Sequence, residues 1–422
     1  MNKIYSIAVL GCGSRGAFSY ALPMSQLKDK YKIVAICDID KEKLKRFSKE
    51  LNISKENCFL SEDEFFKEKR ADALVLATMD KDHVRQTIKA LEVGYDILLE
   101  KPISPDKEEL LQLLEVNKKY KRKVLVCHVL RYAPGFVKLK QLLSEGTIGK
   151  LVHIESLERV MYWHHAHSFV RGNWRNDIQT SPMIMQKCCH DLDLIQDFVG
   201  SKCKTVYSVG ALSFFNRNNQ PKGASERCQD CIYKNSCIYS AEKLYVERWK
   251  KDNYSQDWPY NMLDLSVPIT EESLRKGYEK SNYGQCVFAC DNNVVDNQVV
   301  DMVFENGVKA SLVMTAFTEE GGRRINFHGT LGEIVYDAAE DIISVYKFGQ
   351  EKEQYRVSEI VKEATQDSFG HGGGDAGIIN SFYKLLQGDS CAVTGLEESV
   401  ESHLIAVCAE ESRKTGKVIN VH

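Results

Sequence analysis

The stretch Ile7-Ala-Val-Leu-Gly11-Cys-Gly13-Ser-Arg-Gly16 decides the fold of the first part of this chain. It is an apolar run that ends at three glycines with the spacing G-x-G-x-x-G. This spacing lets the backbone turn tightly after a strand and approach a pyrophosphate, whose anionic oxygens then face the free N–H groups of the next helix. The stretch therefore predicts a strand, a glycine loop and a helix that bind a dinucleotide. Three glycines alone would also suit close helix packing, so the context has to decide.

The residues that follow supply this context. Residues 33–37 predict the next strand, which ends at Asp38, roughly 20 positions after Gly16. A carboxylate at this place accepts hydrogen bonds from the ribose hydroxyls of the adenosine and repels a 2′-phosphate. The sequence thus favours NAD over NADP as the cofactor.

Strands and helices alternate along the first part of the chain. Helices that connect successive strands make those strands parallel and cover both faces of the sheet. We therefore expect residues 1–126 to form an NAD-binding Rossmann domain with a doubly wound parallel sheet. The predicted strands are residues 4–10, 33–37, 73–77, 96–100 and 123–127, and the predicted helices follow Gly16 and cover 41–51, 81–93 and 105–120.

The pattern changes in the second part, residues 127–422. Short segments that alternate apolar and polar residues predict a large mixed, mainly antiparallel sheet covered by a few helices. We therefore expect an α/β protein whose C-terminal domain is α+β and binds the substrate. Residues 216–298, rich in Asn, Gly, Cys and Tyr, predict an irregular insertion. The predicted strands are 150–157, 205–212, 299–304, 309–317, 324–328, 333–336 and 342–346, and the predicted helices are 184–199, 374–387 and 396–414.

Composition excludes several classes of protein. A net charge of −3 over 422 residues leaves no basic surface for nucleic acid or a membrane. No apolar stretch reaches the 18 or so residues that span a bilayer. Because the N-terminus leads directly into the first strand without a signal-peptide pattern, we predict a cytoplasmic protein. Its 14 cysteines are then expected to be reduced thiols or metal ligands rather than disulfides.

Lys101 follows the fourth predicted strand in the sequence Glu100-Lys101-Pro102. Ligands of open parallel sheets bind outside the carboxyl ends of the strands, so this lysine is expected to face the nicotinamide. An ammonium beside a reacting alcohol holds its oxygen and helps to move its proton. The alternative is a solvated lysine before a turn proline.

These motifs together resemble the Gfo/Idh/MocA family of oxidoreductases, which includes glucose/fructose oxidoreductase and inositol dehydrogenase. The resemblance also covers Ala77-Thr-Met-Asp-Lys-Asp-His83 and Cys188-Cys-His190-Asp-Leu-Asp193. It implies that Lys101 and His190 lie at the nicotinamide and the substrate hydroxyl, and that the protein forms a homodimer or homotetramer. The residues expected at the cofactor are Gly11, Gly13, Ser14, Arg15, Gly16, Asp38, Thr78, His83, Glu100 and Lys101.

His190 has the side chain of a general acid/base, because an imidazole titrates near neutral pH. The alternative is a histidine at a helix start that Asp193 or the backbone satisfies. The sequence departs from the family pattern at Met79, where a proline is usual, and at Gln186, where an aspartate is common. Either Lys187 is a catalytic residue that takes over part of the role of this aspartate, or the proton relay differs from that of inositol dehydrogenase.

Residues 162–176 combine three histidines, two arginines and two tryptophans. Flat rings and hydrogen-bond donors are what a polyhydroxylated ring needs, so this segment is predicted to line the substrate pocket. A metal site at the H-x-H pair is the alternative, since alternate residues of a strand share one face. The loop 370–375 adds two further candidates, because its glycines let the backbone approach a ligand. The alternative is a flexible turn in which Asp375 caps the next helix. The predicted substrate residues are His164, His165, His167, Arg171, Trp174, Arg175, His371 and Asp375.

The insertion carries Cys228-Gln-Asp-Cys231 and, six residues on, Cys237. This is the spacing of tetrahedral thiolate ligation, and Cys286 or Cys290 would complete the set. We predict a structural zinc ion held by Cys228, Cys231, Cys237 and Cys286. An iron–sulfur cluster would use similar ligands, and reduced surface thiols or a redox pair are the remaining alternative.

The sequence as a whole predicts an NAD-dependent oxidoreductase that acts on a secondary hydroxyl of a sugar, glycoside or cyclitol. One alternative is a glycosidase that uses NAD transiently, oxidising a sugar so that its glycosidic bond is eliminated. The other is a sugar sensor that keeps the dinucleotide fold without catalysis. The presence of both Lys101 and His190 argues against the sensor.

Overall fold

The computed structural model describes residues 3–263, 268–364, 370–389 and 394–422. Its first sheet has six strands, all parallel, in the order β3-β2-β1-β4-β5-β6. This is the strand order of a Rossmann fold, and the predicted doubly wound sheet is confirmed. Its central strands are buried on both faces, which explains their nearly continuous apolar sequences. The strands are β1 (Tyr5–Leu10), β2 (Tyr31–Cys37), β3 (Cys58–Phe59), β4 (Ala73–Leu76), β5 (Asp96–Leu99) and β6 (Val124–Val126).

Five helices of the described residues belong to this part of the chain. The side chain of Asp40 caps the second of them by accepting hydrogen bonds from two backbone N–H groups of its first turn. Gly94 ends the fourth in the left-handed conformation, with φ of 94°. A further helical turn, Ser14–Ala21, connects the glycine loop to the first helix. The helices are α1 (Leu22–Gln26), α2 (Lys41–Glu50), α3 (Glu62–Phe65), α4 (His83–Val93) and α5 (Lys107–Tyr120).

The second sheet has nine strands in the order β14-β13-β12-β11-β7-β10-β9-β8-β15. All neighbours are antiparallel except β7 and β10, which are parallel. The predicted mixed, mainly antiparallel sheet is therefore confirmed. The strands are β7 (Leu151–Arg159), β8 (Cys203–Ala211), β9 (Asn297–Phe304), β10 (Lys309–Thr315), β11 (Gly322–Gly329), β12 (Gly332–Asp337), β13 (Ile342–Lys347), β14 (Glu353–Arg356) and β15 (Ile419–Asn420).

Nine helices of the described residues belong to the second part of the chain, and some differ from the expectation. The predicted helix 184–199 is two helices, because the backbone leaves the helix between Gln186 and Cys189. No helix in the described ranges is both long and apolar enough to cross a membrane. The helices are α6 (Pro134–Ser144), α7 (Tyr162–His165), α8 (Met183–Gln186), α9 (Cys189–Val199), α10 (Arg248–Lys251), α11 (Glu271–Lys280), α12 (Val357–Ala364), α13 (Gly374–Gln387) and α14 (Leu396–Thr415).

The insertion is more ordered than its composition suggests. It includes α10, α11 and the helical segment Glu242–Glu247, and its aromatic side chains form a separate hydrophobic core. Trp163, Tyr245 and Trp249 are buried in this core. Large aromatic rings bury much apolar area per residue, so a segment with little regular structure still packs.

Helix α13 packs on the Rossmann sheet although it lies late in the sequence. Ile378 and Phe382 share a buried cluster with Ile7 and Val9 of β1. The Tyr31 hydroxyl donates a hydrogen bond to the carbonyl of Ile379 at 2.7 Å. This packing brings the loop before α13 to the end of the sheet where the glycine loop lies.

Candidate active site

The glycine loop has the shape that a dinucleotide requires. A Cβ at Gly11, which has φ of 92°, would lie 2.4 Å from the carbonyl oxygen of Ala77, and one at Gly16 would lie 1.8 Å from that of Gly11. A Cβ at Gly13 would meet no atom within 4 Å. The first and third glycines therefore allow close packing of the backbone, whereas the second leaves open space beside the helical turn Ser14–Ala21. These residues fit the pyrophosphate of NAD.

Asp38 lies directly after β2, beside this loop. Its Oδ2 accepts a hydrogen bond from the backbone N–H of Cys12 (2.7 Å), and its Oδ1 accepts one from that of Asp40 (2.9 Å). These bonds fix the carboxylate and leave acceptor capacity on both oxygens. The position suits the ribose hydroxyls of an adenosine.

We expect replacement of Asp38 by serine to weaken the binding of NAD by roughly 10- to 100-fold, because hydrogen bonds to a charged group contribute about 1.5–3 kcal/mol. Binding of NADP should weaken less or improve, since the carboxylate no longer repels its 2′-phosphate. Titration calorimetry with both dinucleotides measures the ratio of the two dissociation constants. An unchanged ratio would contradict the assignment. As a control, the free energy of unfolding of both proteins is measured without cofactor, to exclude a loss of stability.

A cavity of about 160 Å³ lies at the carboxyl ends of β4 and β5. Both halves of the chain contribute to its walls, which is typical of ligand sites in open α/β sheets. Among the predicted site residues it includes Lys101, His190 and Trp174. The lining residues are Arg15, Ala77, Thr78, Met79, Asp80, His83, Glu100, Lys101 and Pro102 from the first half, and Trp174, Gln186, His190 and His371 from the second.

The side chain of Lys101, at the end of β5, contacts the second half of the chain. Its ammonium donates a hydrogen bond to the carbonyl oxygen of Gln186 at 3.1 Å. Its backbone N–H donates to Oε2 of Glu100 at 2.8 Å. One of its three ammonium protons is thus used, so the other two remain for a ligand in the cavity.

His190 lies in the first turn of α9 and is 7% exposed. Its Nδ1 is buried and has no hydrogen-bond partner among the described residues, so Nε2 is the nitrogen that a ligand can reach. Burial holds the pKa of His190 well below its usual range, and the positive charge of Lys101 lowers the pKa further. The imidazole is therefore neutral at neutral pH and able to accept a proton.

Asp80 is a site residue that the sequence analysis missed. It lines the cavity, is 4% exposed, and its Oδ2 accepts hydrogen bonds from the Gln186 amide and the Ser181 hydroxyl. A carboxylate from the Rossmann half thus lies beside the position where the sequence has Gln186 instead of an aspartate. The signal was present in the stretch Thr78-Met-Asp80, but its contact with Gln186 depends on the tertiary fold.

The ring of His83 connects the two loops that follow β4 and β5. Its Nδ1 is 2.7 Å from the carbonyl oxygen of Pro102, and its Nε2 is 3.2 Å from that of Thr78. The Thr78 hydroxyl donates a hydrogen bond to Gln86 at 2.5 Å. Both predicted cofactor residues therefore shape the wall of the cavity, with their own polar groups already engaged.

Arg15 and Asp375 join the two halves of the chain. The guanidinium of Arg15 donates two hydrogen bonds to Asp375 (2.8 and 3.1 Å) and one to Glu100 (2.6 Å). Nδ1 of His371 lies 3.1 Å from Oδ2 of Asp375, which holds this imidazole at the cavity opposite His190. Arg15, Glu100 and Asp375 thus assemble the site rather than presenting free charges to a ligand.

We expect the substitution Asp375→Asn to lower the free energy of unfolding by about 2–3 kcal/mol at pH 7, because it leaves a largely buried guanidinium without one of its carboxylates. Burial alone would raise the pKa of Asp375, but hydrogen bonds from His371 and Arg15 lower it to about 2. A depressed carboxyl pKa adds stability above the ordinary value near 4, and this stability is lost as the pH falls toward 2. Urea unfolding should therefore show a smaller difference between the proteins at pH 3 than at pH 7. An equal difference at both pH values would contradict the role of the carboxylate.

Lys187 lies outside the lining of the cavity. Its ammonium pairs with Glu158 at 3.2 Å, and this buried glutamate also lies 3.2 Å from Arg323. Arg323 in turn holds Asp191 through two hydrogen bonds. The location differs from the expected catalytic role, since the charge of Lys187 is matched by a carboxylate within the second half of the chain.

The histidine-rich segment is mostly packed inside the insertion rather than around the cavity. The ring of His165 stacks on Phe215 (5.3 Å between centroids), and that of His167 stacks on Tyr283 (4.7 Å). Residues 162–171 are helical, so His165 and His167 do not share a face as they would in a strand. The structure therefore does not support a metal site at this pair.

Of the remaining residues of the segment, one lines the cavity and the others contact the insertion. Trp174 lines the cavity. His164 packs edge-on against Trp258, and Arg175 pairs with Asp291 at 2.6 Å. Arg171 is buried in the insertion, where it contacts backbone carbonyls and a cysteine. The composition predicted a sugar site, but the helical backbone directs most of these side chains into the aromatic core.

The four cysteines predicted to bind zinc line one cavity in the insertion. Within the described part of the chain, however, no group of three or more His, Cys, Asp or Glu side chains is arranged to hold a metal ion. Their sulfurs have separate neighbours instead: Cys228 lies beside Arg171 and Cys286 beside Gln220. The structure therefore does not support the predicted zinc site. The thiol of Cys290 donates a hydrogen bond to the carbonyl of Cys286, and Cys290 does not line the cavity.

Comparison with protein families covers both halves of the chain. The model described as the NAD-binding Rossmann fold of an oxidoreductase family matches residues 5–128, and the model of the C-terminal alpha/beta domain of that family matches residues 140–421. The chain belongs to the Gfo/Idh/MocA family. It is thus an NAD-binding oxidoreductase of this family, as its motifs indicated.

Individual members of the Gfo/Idh/MocA family are distant from this chain. YteT of Bacillus subtilis is 23% identical over 398 residues, which cover 90% of this chain and 88% of YteT. An inositol 2-dehydrogenase of Corynebacterium glutamicum is 26% identical over 207 residues, covering 49% of this chain and 57% of the enzyme. Among solved structures, the WlbA dehydrogenase of Bordetella pertussis, in complex with NADH and UDP-GlcNAcA, superposes with a TM-score of 0.71 at 18% identity, covering 99% of this chain and 98% of WlbA. At this identity the likeness shows the fold alone.

Proposed function

We propose that this protein transfers hydride between NAD and a secondary hydroxyl of a sugar, glycoside or cyclitol. In this proposal residues 1–126 bind the dinucleotide and residues 127–422 bind the substrate. The observation that carries it is the convergence of Lys101 from one half and His190 from the other on a single cavity at the carboxyl ends of β4 and β5. Dehydrogenation of an alcohol needs a cation at the oxygen and a base for its proton, and these two side chains are such a pair.

The proton chemistry follows from the state of each group. Nζ of Lys101 donates to the substrate oxygen and stabilises the negative charge that develops there. Nε2 of His190 accepts the hydroxyl proton, because the depressed pKa of this imidazole keeps it neutral. Asp80 and Gln186 hold the loop whose carbonyl orients Lys101. In the reverse direction His190 returns the proton to the oxygen.

The glycine loop, Asp38 and the wall formed by Thr78 and His83 would hold NAD. When bound, NAD supplies the redox equivalent of the reaction at its nicotinamide. The glycines that a Cβ would obstruct support this assignment. Asp38 favours NAD over NADP for the electrostatic reason given above.

The walls of the cavity support a polyhydroxylated substrate. Trp174 offers a flat apolar face, whereas His371, Gln186 and Lys101 offer polar groups. The curated relatives point the same way, since several of them are inositol 2-dehydrogenases.

A substrate screen tests the proposal. Purified protein with NAD is incubated with panels of sugars, cyclitols and p-nitrophenyl glycosides, and the absorbance of NADH and of nitrophenol is followed together. We expect NADH to form in proportion to a ketone product with the wild-type protein. Variants that lack the side chain of Lys101 or His190 should form little NADH. Nitrophenol release without NADH would show the transient-redox glycosidase instead. Binding of sugars without either product would show a sensor.

We also propose that the protein is a homo-oligomer through the open face of the second sheet. Val209, Val299 and Val313 lie in register on three adjacent strands, and each is 36–47% exposed. Tyr207 and Val303 extend this row. The solvent face of an antiparallel sheet normally carries polar residues, so an apolar row favours contact with a second copy. Light scattering of the purified protein tests this, and a monomeric mass would contradict it.

A further inference from the structure

Arg171 is a buried cation without a carboxylate partner in the part of the chain that the structure describes. Its side chain is 1% exposed, and among the described residues its guanidinium contacts carbonyl oxygens and a cysteine sulfur rather than a carboxylate. It donates hydrogen bonds to the carbonyls of Gln285 and Tyr239, each at 2.7 Å, while Nη1 is buried without a partner. Burying an unpaired charge costs several kcal/mol, so a compensating anion is expected nearby.

The neighbours that offer such a charge are cysteines. Nη2 of Arg171 lies 3.4 Å from Sγ of Cys228, and both residues line one cavity. Cys231, Cys237 and Cys286 line the same cavity. Four cysteines and one unpaired arginine thus surround one space, although the chain has many other buried cysteines.

Two separate segments bring these cysteines together. Arg227 forms an antiparallel bridge with Gln285, and the N–H of Cys286 donates to the carbonyl of Glu226 at 2.8 Å. This pairing places Cys286 opposite Glu226. It also brings the Cys228 sulfur to 3.9 Å from the carbonyl oxygen of Gln285, 57 positions further along the chain. The arrangement is therefore built by backbone hydrogen bonds and does not depend on chance contacts of flexible side chains.

The size of the cavity indicates what it holds. Its volume is about 40 Å³, whereas one water molecule needs roughly 10–15 Å³. Four thiolates around a single zinc ion would lie only 2.3 Å or so from the metal and leave no such space. Within the described residues the thiols are not arranged to hold one ion, yet they face a common cavity. A polynuclear centre matches this combination.

We propose that Cys228, Cys231, Cys237 and Cys286 bind an iron–sulfur cluster of the four-iron type. Four cysteine thiolates are the ligand set of such a cluster. The cluster with its thiolates is anionic, so it supplies the charge that Arg171 lacks, and the guanidinium donates N–H···S hydrogen bonds to it. The cluster joins the segment before Tyr239 to the segment around Cys286 and so stabilises the insertion.

Anaerobic purification tests this site on the whole protein without any substrate. We expect about four iron and four acid-labile sulfide per chain, together with broad visible absorbance and an EPR signal after reduction by dithionite. One zinc per chain without iron would overturn the proposal, as would protein that takes up no cluster on reconstitution with ferrous iron and sulfide. Because no turnover is measured, this result is independent of the proposed dehydrogenase activity.

Matched cysteine variants locate the cluster. Cys237→Ser is expected to lower the iron content at least several-fold. Cys290→Ser should keep it, because Cys290 does not line the cavity and its thiol donates a hydrogen bond to the carbonyl of Cys286. Equal iron content in the two variants would overturn the assignment. If Cys237→Ser does not fold, Arg171→Lys provides a second readout. It should keep the cluster and shift its reduction potential, since lysine retains the charge but changes the hydrogen bonds to sulfur.

Discussion

Replacing Lys101 with methionine should lower kcat by about 100- to 10,000-fold, the range typical of a lost acid–base group. Methionine keeps much of the side-chain length but has no ammonium to hold the substrate oxygen. Affinity for NAD should change little, because the glycine loop and Asp38 lie apart from this lysine. Steady-state kinetics with a substrate from the screen, together with calorimetric titration of NAD, measures both effects.

Lys107→Met is the matched control for this substitution. The ammonium of Lys107 also donates a 3.1 Å hydrogen bond to a backbone carbonyl, that of Val421, but it lies outside the cavity. Both variants thus lose one lysine-to-carbonyl bond, and only one of them loses an ammonium at the site. Similar kcat values for the two variants would contradict the catalytic role of Lys101.

His190→Gln should also reduce kcat by roughly 100-fold or more, because glutamine cannot accept the proton. If the two groups act on one hydroxyl, a variant with both substitutions should be little slower than the slower single variant. Losses that multiply would show instead that Lys101 and His190 act independently. Near-ultraviolet circular dichroism checks that the three variants keep the packing of the wild type.

The pH profile of Lys101→Met gives a second test of this pair. Burial lowers the pKa of His190 first, and the charges of Lys101, His128, Arg323 and His371 lower it further. In the wild type the imidazole therefore stays neutral below its ordinary value near 6.5, and kcat/KM should hold in mildly acidic solution. Removal of the lysine charge raises the pKa of His190, so the acid limb of the profile should move to higher pH. A shift to lower pH would contradict the proposed contact.

Features that depend on local spacing were predictable from the sequence. The three glycines, Asp38 after the second strand and Lys101 after the fourth predicted strand belong to one repeating strand–helix pattern. The strand order of a Rossmann sheet then determines where the ends of these strands meet. Because each residue lies at a strand end, its general position follows from the pattern without any long-range contact.

The histidine-rich segment shows where such reasoning fails. Its composition suits a sugar site, but composition does not tell a helix from a strand in a short segment. The backbone is helical there, and aromatic residues from the insertion cover His165 and His167. Lys187 is a similar case, since it lies between α8 and α9 and its partner Glu158 lies on β7.

The sequence by itself determined the fold class, the family and the residues at the ends of the Rossmann strands, because short-range periodicity and spacing encode them. Tertiary structure alone decided which distant residues meet: Asp80 with Gln186, Arg15 with Asp375, and Arg171 with four cysteines around one cavity. These contacts join segments from tens to hundreds of positions apart. Their charged groups and hydrogen-bond partners meet only after the helices and strands pack, so no local pattern in the sequence predicts these contacts.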